Sequence, residues 1–113
     1  MFRAAHESDP KNTGAIVNLG DVDFEQNRYE DAAIRFLDAL EIKPTDEEAL
    51  CNLAMALKKT RHLDYAQIAF EEAVNTCPAN TFILANYMLF LVEQKKFSLF
   101  SQILKHATRI MEK

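Results

Sequence analysis

The sequence predicts an all-α fold of stacked antiparallel helix hairpins, and three observations carry that reading. Residues recur with a fixed period of 34 along the chain. Helix breakers are scarce, with two Gly and three Pro in 113 residues, whereas a sheet fold wants a turn signal every ~8–12 residues. A residue suited to capping a helix, Asn12, Asp46 or Asn80, stands two positions after each proline.

The period is visible at many positions. Pro10, Pro44 and Pro78 are 34 residues apart, and so are Phe2, Phe36 and Phe70, with Leu104 continuing the series. Ala5, Ala39, Ala73 and Ala107 obey it, as do Leu19 with Leu53, Ala32 with Ala66, and Ile16 with Leu50 and Leu84. A unit of this length is a helix–turn–helix that buries its apolar face only by stacking on its neighbours.

The elements follow in order. Phe2 and Ala5 hold the late positions of a second helix, so 1–12 reads as the end of a preceding repeat and its loop. First helices are expected at 13–26, 47–60 and 81–94, and second helices at 29–42, 63–76 and 97–112. The turns within hairpins fall at Asn27-Arg28, Arg61-His62 and Lys95-Lys96. Each proline ends a second helix, because its ring removes a donor and disfavours helix at the residue before it. Asn12, Asp46 and Asn80 then cap the next first helix, with Thr45 and Glu48 offering an alternative capping box at the middle boundary.

These residues resemble the tetratricopeptide repeat. The stretch 13–46 supplies Ile16, Leu19-Gly20, Tyr29, Ala32, Phe36, Ala39 and Pro44, and 47–80 supplies Leu50, Leu53-Ala54, Leu57, Ala66, Phe70, Ala73 and Pro78. The stretch 81–113 is a degenerate third copy, with Tyr87-Met88 where the family has Leu-Gly and Phe100 where it has Ala. The resemblance implies a right-handed superhelix in one structural domain, read as a fragment of a longer protein. Gly20 and Ala54 are expected opposite Ala32 and Ala66, with Phe36 and Phe70 filling the space between hairpins. The third repeat should pack more loosely. Its last helix carries Phe97, Phe100, Leu104, Ala107 and Met111 on one face and Leu99, Ile103 and Ile110 on another, leaving no polar face. Self-association through 97–112 is the expected consequence.

Composition narrows the function classes. A net charge of −4 with no lysine stripe gives no footprint for nucleic acid. No apolar run approaches the ~18 residues of a membrane span, and the amino terminus lacks a signal-peptide core. Cys51 and Cys77 have no metal-ligand spacing and read as reduced thiols, which makes the cytoplasm the expected location. His6, His62 and His106 are scattered, no glycine-rich phosphate loop occurs, and Ser8, Ser98 and Ser101 lack a nucleophile motif. The chain is therefore read as a non-enzyme without cofactor or metal, whose partner is another protein.

One polar pattern stands out. Asn18, Asn52 and Asn86 recur at the same repeat position on the three first helices, although Asn is only a middling helix former. In the tetratricopeptide family first helices line the inner, concave wall. The series resembles the asparagine ladders of the O-linked N-acetylglucosamine transferase arm. An Asn amide offers one acceptor and two donors, enough to hold a peptide-bond unit of an extended chain. With first helices on the order of 10 Å apart and ~3.3–3.6 Å per extended residue, one Asn would meet roughly every third residue. The competing reading is structural, with each Asn bridging or capping neighbouring helices.

By repeat position the wall further includes Val17, Asp21, Phe24, Cys51, Met55, Lys58, Lys59, Phe82, Ala85, Leu89 and Val92. Family members that grip chaperone tails by their carboxylate use Lys and Asn where this chain has Val17 and Asp21, so no such clamp is expected. The leading expectation is a scaffold binding an extended peptide or partner helix along Asn18, Asn52, Asn86, Asp21, Phe24, Met55, Lys58, Lys59, Phe82 and Leu89. Two alternatives stand beside it. Ala85-Asn86-Tyr87 and Glu93-Gln94-Lys95-Lys96 resemble tetratricopeptide subunits of ciliary trafficking complexes, which implies a structural segment of a large assembly. The ladder equally fits a substrate-recruiting arm of a longer enzyme such as a glycosyltransferase.

Overall fold

A computed structural model of the chain describes residues 12–112. Six helices fill that span: α1 Thr13–Glu25, α2 Tyr29–Ile42, α3 Glu47–Lys59, α4 Leu63–Thr76, α5 Thr81–Glu93 and α6 Phe97–Met111. Each boundary lies within one residue of its expected place. Contacts run α1 to α2, α3 to α4 and α5 to α6 within hairpins, and α2 to α3 and α4 to α5 between them. The result is a helical-hairpin solenoid, 44 × 30 × 19 Å. The expected preceding-repeat segment at 1–12, with Phe2 and Ala5, lies outside the described residues except for Asn12.

The boundaries have identifiable causes. Oδ1 of Asn12, Asp46 and Asn80 accepts from the backbone N–H of Ala15, Ala49 and Ile83 at 2.9, 2.9 and 3.1 Å, which satisfies one orphan donor of each first helix. Before Pro44 and Pro78 the chain leaves the helix at Lys43 (φ −133°, ψ 90°) and Cys77 (φ −131°, ψ 66°). A tight turn then brings Asp46 N–H to Lys43 O and Asn80 N–H to Cys77 O, both at 3.1 Å. Each cap therefore follows its proline at the distance set by one β-turn.

The three hairpin turns are built alike. Asn27, Arg61 and Lys95 have positive φ (65°, 68° and 59°), and the next residue's N–H reaches back to Asp23, Leu57 and Leu91 carbonyls at 2.8, 2.9 and 2.8 Å. This is a Schellman closure, which usually has glycine at the left-handed position. None of the three turns has it.

Small residues set the packing, but not quite as expected. Ala32, Ala39, Ala54, Ala66 and Ala73 are completely buried. What closes on Gly20 is the ring of Phe36, so near that a Cβ on Gly20 would lie 2.5 Å from Phe36 Cε1. The Phe36 ring thus rests on Gly20 of its own hairpin. Phe70, one repeat on, does bridge hairpins: its ring stacks on Tyr87 at 5.5 Å and meets Phe90 at 5.2 Å. Tyr87, in the departing third repeat, is buried here and donates weakly to Glu71 (3.5 Å). Burial and the Glu71 carboxylate push its phenol up to about 12.

The third hairpin is the less buried. Ala107 alone is buried on α6, whereas α4 buries Ala66, Ala69, Phe70 and Ala73. The expected absence of a polar face on α6 is corrected. At 100° per residue the two apolar rows merge into one arc of about 160°, and Ser98, Ser101, Gln102, Lys105 and Arg109 form an exposed polar side. Leu99, Phe100 and Ile103 pack on the core, leaving Phe97, Leu104 and Met111 as an exposed edge.

Candidate functional site: the wall of first helices

The first helix of each hairpin follows the previous one along one side of the stack, joined by side-chain bonds whose partners are about one repeat apart. Asn52 Nδ2 donates to Asp21 Oδ1 at 2.9 Å, linking α3 to α1. Asn80 Nδ2 donates to Glu47 Oε1 at 2.6 Å, and Lys58 pairs with Glu93 at 2.8 Å, linking α5 to α3. Sequence reasoning missed the last two. Their signal was available as opposite or complementary polar types 33 and 35 residues apart.

The asparagine series is not uniform. Asn18 is exposed and makes no hydrogen bond among the described residues. Asn52 is half-buried and committed through one N–H to Asp21. Asn86 turns back on its own helix, donating to Phe82 O at 2.8 Å. The difference follows from the neighbouring repeat: Asn52 finds a carboxylate at 21, whereas the equivalent neighbour of Asn86 is Met55, which cannot accept comparably. No described bond occupies Oδ1 or the second N–H of Asn52 or Asn86.

The remaining expected residues divide. Phe82, Leu89 and Lys59 are exposed, while Asp21, Phe24, Met55 and Lys58 are half-buried. Phe24 packs edge-on against Tyr29 at 4.9 Å, and Lys59 Nζ lies 5.9 Å from the centre of that ring. Val17 and Cys51, placed on the wall by repeat position, are buried in the core, while Ala85, their counterpart, is exposed. Burial raises the Cys51 thiol to about 11. Burial raises Cys77 too, helped by Glu47 and Asp46.

Two hollows flank the α3–α5 seam. One of about 350 Å3 is lined by Glu47, Glu48, Asn52 and Phe82 among others. The other, about 430 Å3, is lined by Lys58, Lys59, Arg61 and Glu93. Burial, Glu48 and Glu25 raise the Asp21 carboxyl above its ordinary value, and the Asn52 bond works the other way. The wall is thus acidic over α1 and the start of α3, while Phe82, Leu89 and Val92 leave apolar surface exposed on α5. No group of three or more His, Cys, Asp or Glu among the described residues is placed to hold a metal. No described helix is long and apolar enough to cross a membrane.

Comparison with known families decides what this architecture is. A TPR repeat profile matches residues 20–60 and a tetratricopeptide repeat profile matches 47–80, so the two span more than half of the chain. Over residues 20–80 the chain belongs to the tetratricopeptide repeat family. The sequence matches no curated protein. Among solved structures this tetratricopeptide chain is similar to MamA, with TM-score 0.80 and 16% identity over 96% of this chain and 63% of that one. It is similar to YrrB, described as a TPR protein with an unusual peptide-binding site, with TM-score 0.78 and 20% identity over 98% and 57%. It is also similar to SycD, the Yersinia enterocolitica type III secretion translocator chaperone, with TM-score 0.78 and 15% identity over 88% and 76%. At these identities the likeness is one of fold. The chain spans 63% of MamA and 57% of YrrB.

Proposed function

We propose that this tetratricopeptide chain is a protein-interaction scaffold whose first-helix wall binds an extended peptide. The observation that carries the reading is the exposure of Phe82 and Leu89 on α5, on the same helix as Asn86. Large apolar side chains left in solvent beside amides with spare hydrogen-bonding capacity suit a peptide that is held by its backbone and anchored by apolar residues. The acidic end selects further. Asp21 with Glu48 and Glu25 favours a basic residue there and opposes a terminal carboxylate. Lys58 is already matched by Glu93, which leaves Lys59 and Arg61 as the accessible cations of that hollow. The peptide-binding description of YrrB is consistent with this use of the fold.

The test is selection from a random peptide library, followed by fluorescence anisotropy on the enriched sequences. Apolar residues paired with a basic residue are expected, and Phe82→Ala with Leu89→Ala should weaken binding at least tenfold. Enriched peptides whose affinity ignores Phe82, Leu89 and Asn18 alike would place binding elsewhere on the molecule.

A further inference from the structure

The two hollows at the ends of the α3–α5 seam differ in sign. The one at the start of these helices is lined by Glu47 and Glu48 and by no cation. The one at their far end is lined by Lys58, Lys59 and Arg61, with Glu93 as its one acid. Glu47 and Lys58 are held within the stack by Asn80 and Glu93. Glu48 and Arg61 are exposed and make no side-chain bond among the described residues. Lys59, also exposed, lies 5.9 Å from the centre of the Tyr29 ring. Each hollow thus keeps spare charge, negative at one end and positive at the other.

Helix electrostatics alone do not require this pattern. Acids in a first turn and bases in a last turn suit the helix dipole, and α3 has both. α1 and α5, like α3 13 residues long, have neither. On α3, Glu48, Asn52, Met55 and Lys59 fall within about 60° of one another at 100° per residue, so they form one row. The equivalent row on α5 is Phe82, Asn86, Leu89 and Glu93. Ties from Asn80 to Glu47 at one end and from Lys58 to Glu93 at the other keep the two rows side by side.

On the reading that this wall holds an extended peptide, the geometry points to a peptide that runs along the seam, parallel to the first helices, with a basic side chain in the acidic hollow and an acidic side chain in the basic one. The helix from Glu48 to Lys59 rises about 16 Å, and Arg61 lies beyond it in the turn. An extended chain covers that reach in about five to six residues. Its side chains face one side at every second position, which selects six over five. Two further wall-facing positions then lie between the charges, one each for Phe82 and Leu89. A peptide crossing the helices along the asparagines would pass the acidic hollow, which Asn52 lines, and miss the basic one.

The probe is the capped heptapeptide Lys-Ser-Leu-Ser-Leu-Ser-Glu, whose Lys, Leu and Glu side chains share one side when extended. Titrated into the isotope-labelled chain, it should shift the amide resonances of Glu48, Phe82, Leu89 and Arg61, and the shifts measure affinity. Lys59→Glu with Arg61→Asn should weaken binding at least tenfold, and replacing the probe's Glu by Lys should restore it. Asn suits position 61 because it tolerates the left-handed backbone there. Glu48→Lys should weaken binding at least tenfold as well, and replacing the probe's Lys by Glu should restore it. Unchanged circular-dichroism melts verify folding; if Glu48→Lys disturbs the fold, Glu48→Gln serves instead, with a smaller loss. Equal rescue by the probe altered at the wrong end would mean that net charge alone is read, and would overturn the proposal. So would a probe that shifts none of these resonances, or affinities that neither variant moves. Library peptides that depend on Phe82 and Leu89 but ignore Glu48, Lys59 and Arg61 would overturn the charge pairing and leave the peptide-binding wall standing. Binding indifferent to Phe82 and Leu89 would remove the wall itself.

Discussion

Gly20 and Phe36 occupy each other's space: the hydrogen on the Gly20 Cα points to where the Phe36 ring edge lies, and a methyl group there would come within 2.5 Å of Cε1. Phe36 is fully buried, so its ring has little room to yield. Gly20→Leu should therefore cost about 3 kcal/mol by overpacking. Gly20→Ala should still be destabilising, although Ala gains about 1 kcal/mol in helix propensity. Combining Gly20→Ala with Phe36→Leu should cost less than the sum of the two, with a coupling of about 0.5–3 kcal/mol. Urea denaturation of the four proteins measures the cycle. A coupling of zero would mean that the ring does not rest on this glycine.

The left-handed turn residues predict a ranking. Lys95→Gly and Arg61→Gly should each stabilise by up to about 1 kcal/mol, the relief of the left-handed penalty less the greater unfolded-state freedom of Gly. Asn27→Gly should gain nothing, since Asn tolerates this conformation and Asn27 Oδ1 accepts from the Tyr29 hydroxyl at 2.7 Å. Thermal midpoints of the three variants check the order.

Asp23 is buried and held by Arg35 at 2.9 Å and Arg28 at 3.3 Å, tying α1 to α2. Arg35→Met leaves the carboxylate short of a charged donor and should cost about 1–3 kcal/mol. Adding Asp23→Leu should recover part of that loss, because the pair is then replaced rather than broken. Chemical denaturation of both variants tests this; a double variant no better than the single would show that the pair is not the source of the cost.

Asp21 gives a pH signature. Its folded pKa is raised, so the native state binds its proton more readily than the unfolded chain does. Between the ordinary value of 3.8 and the raised one, this group makes stability fall as pH rises. Asp21→Asn should thus be more stable than wild type at neutral pH. The advantage should shrink as pH drops through that window and vanish below 3.8. Melts from pH 3 to 7 on the two proteins show whether the curves converge.

The three asparagines should behave differently when each is replaced by Ala. Asn18→Ala should raise stability slightly, by at most about 0.7 kcal/mol from the better helix former, and weaken a bound peptide by about 0.5–1.5 kcal/mol. Asn52→Ala should lower stability, since Asp21 loses its bond. Asn86→Ala should be neutral or stabilising, because a back-bond within the helix is exchanged for the better helix former. Stability and affinity measured on each single variant distinguish these patterns. Three variants with the same profile would mean that the series acts as a uniform ladder.

Local chemistry explains why the helix ends were legible. Asn12, Asp46 and Asn80 cap by their own side chains, and Pro44 and Pro78 act on the residue before them, so neighbours in sequence carry the information. The period of 34 then fixed which helices stack. It could not say how deep each position lies, which is why Val17 and Cys51 were placed on the wall and are in the core. Nor could it show that the Phe36 ring would press on Gly20 or that the Phe70 ring would stack on Tyr87. Those contacts depend on the facing residues, Gly20 in one case and Tyr87 with Phe90 in the other. The polar side of α6 was readable all along, but counting two rows separately hid the arc they share. In the site, Asn52 and Asn86 look equivalent by position and differ because Asp21 and Met55 differ one repeat away.

The ring of Phe70 is covered from the carboxyl-terminal side by Tyr87 and Phe90, both of which are synthesised after it. From 70 to 90 the ribosome must add 20 more residues, about 1–4 s at ~5–20 residues per second. During that interval the second hairpin can form its helices but cannot shield the aromatic. A nascent chain stalled with residue 70 outside the exit tunnel and Tyr87 still inside it should therefore crosslink through a photoreactive group at 70 to whatever aromatic-binding chaperone attends the tunnel exit. One released after α5 has emerged should not, so translation speed across this short stretch sets how long the protein is vulnerable.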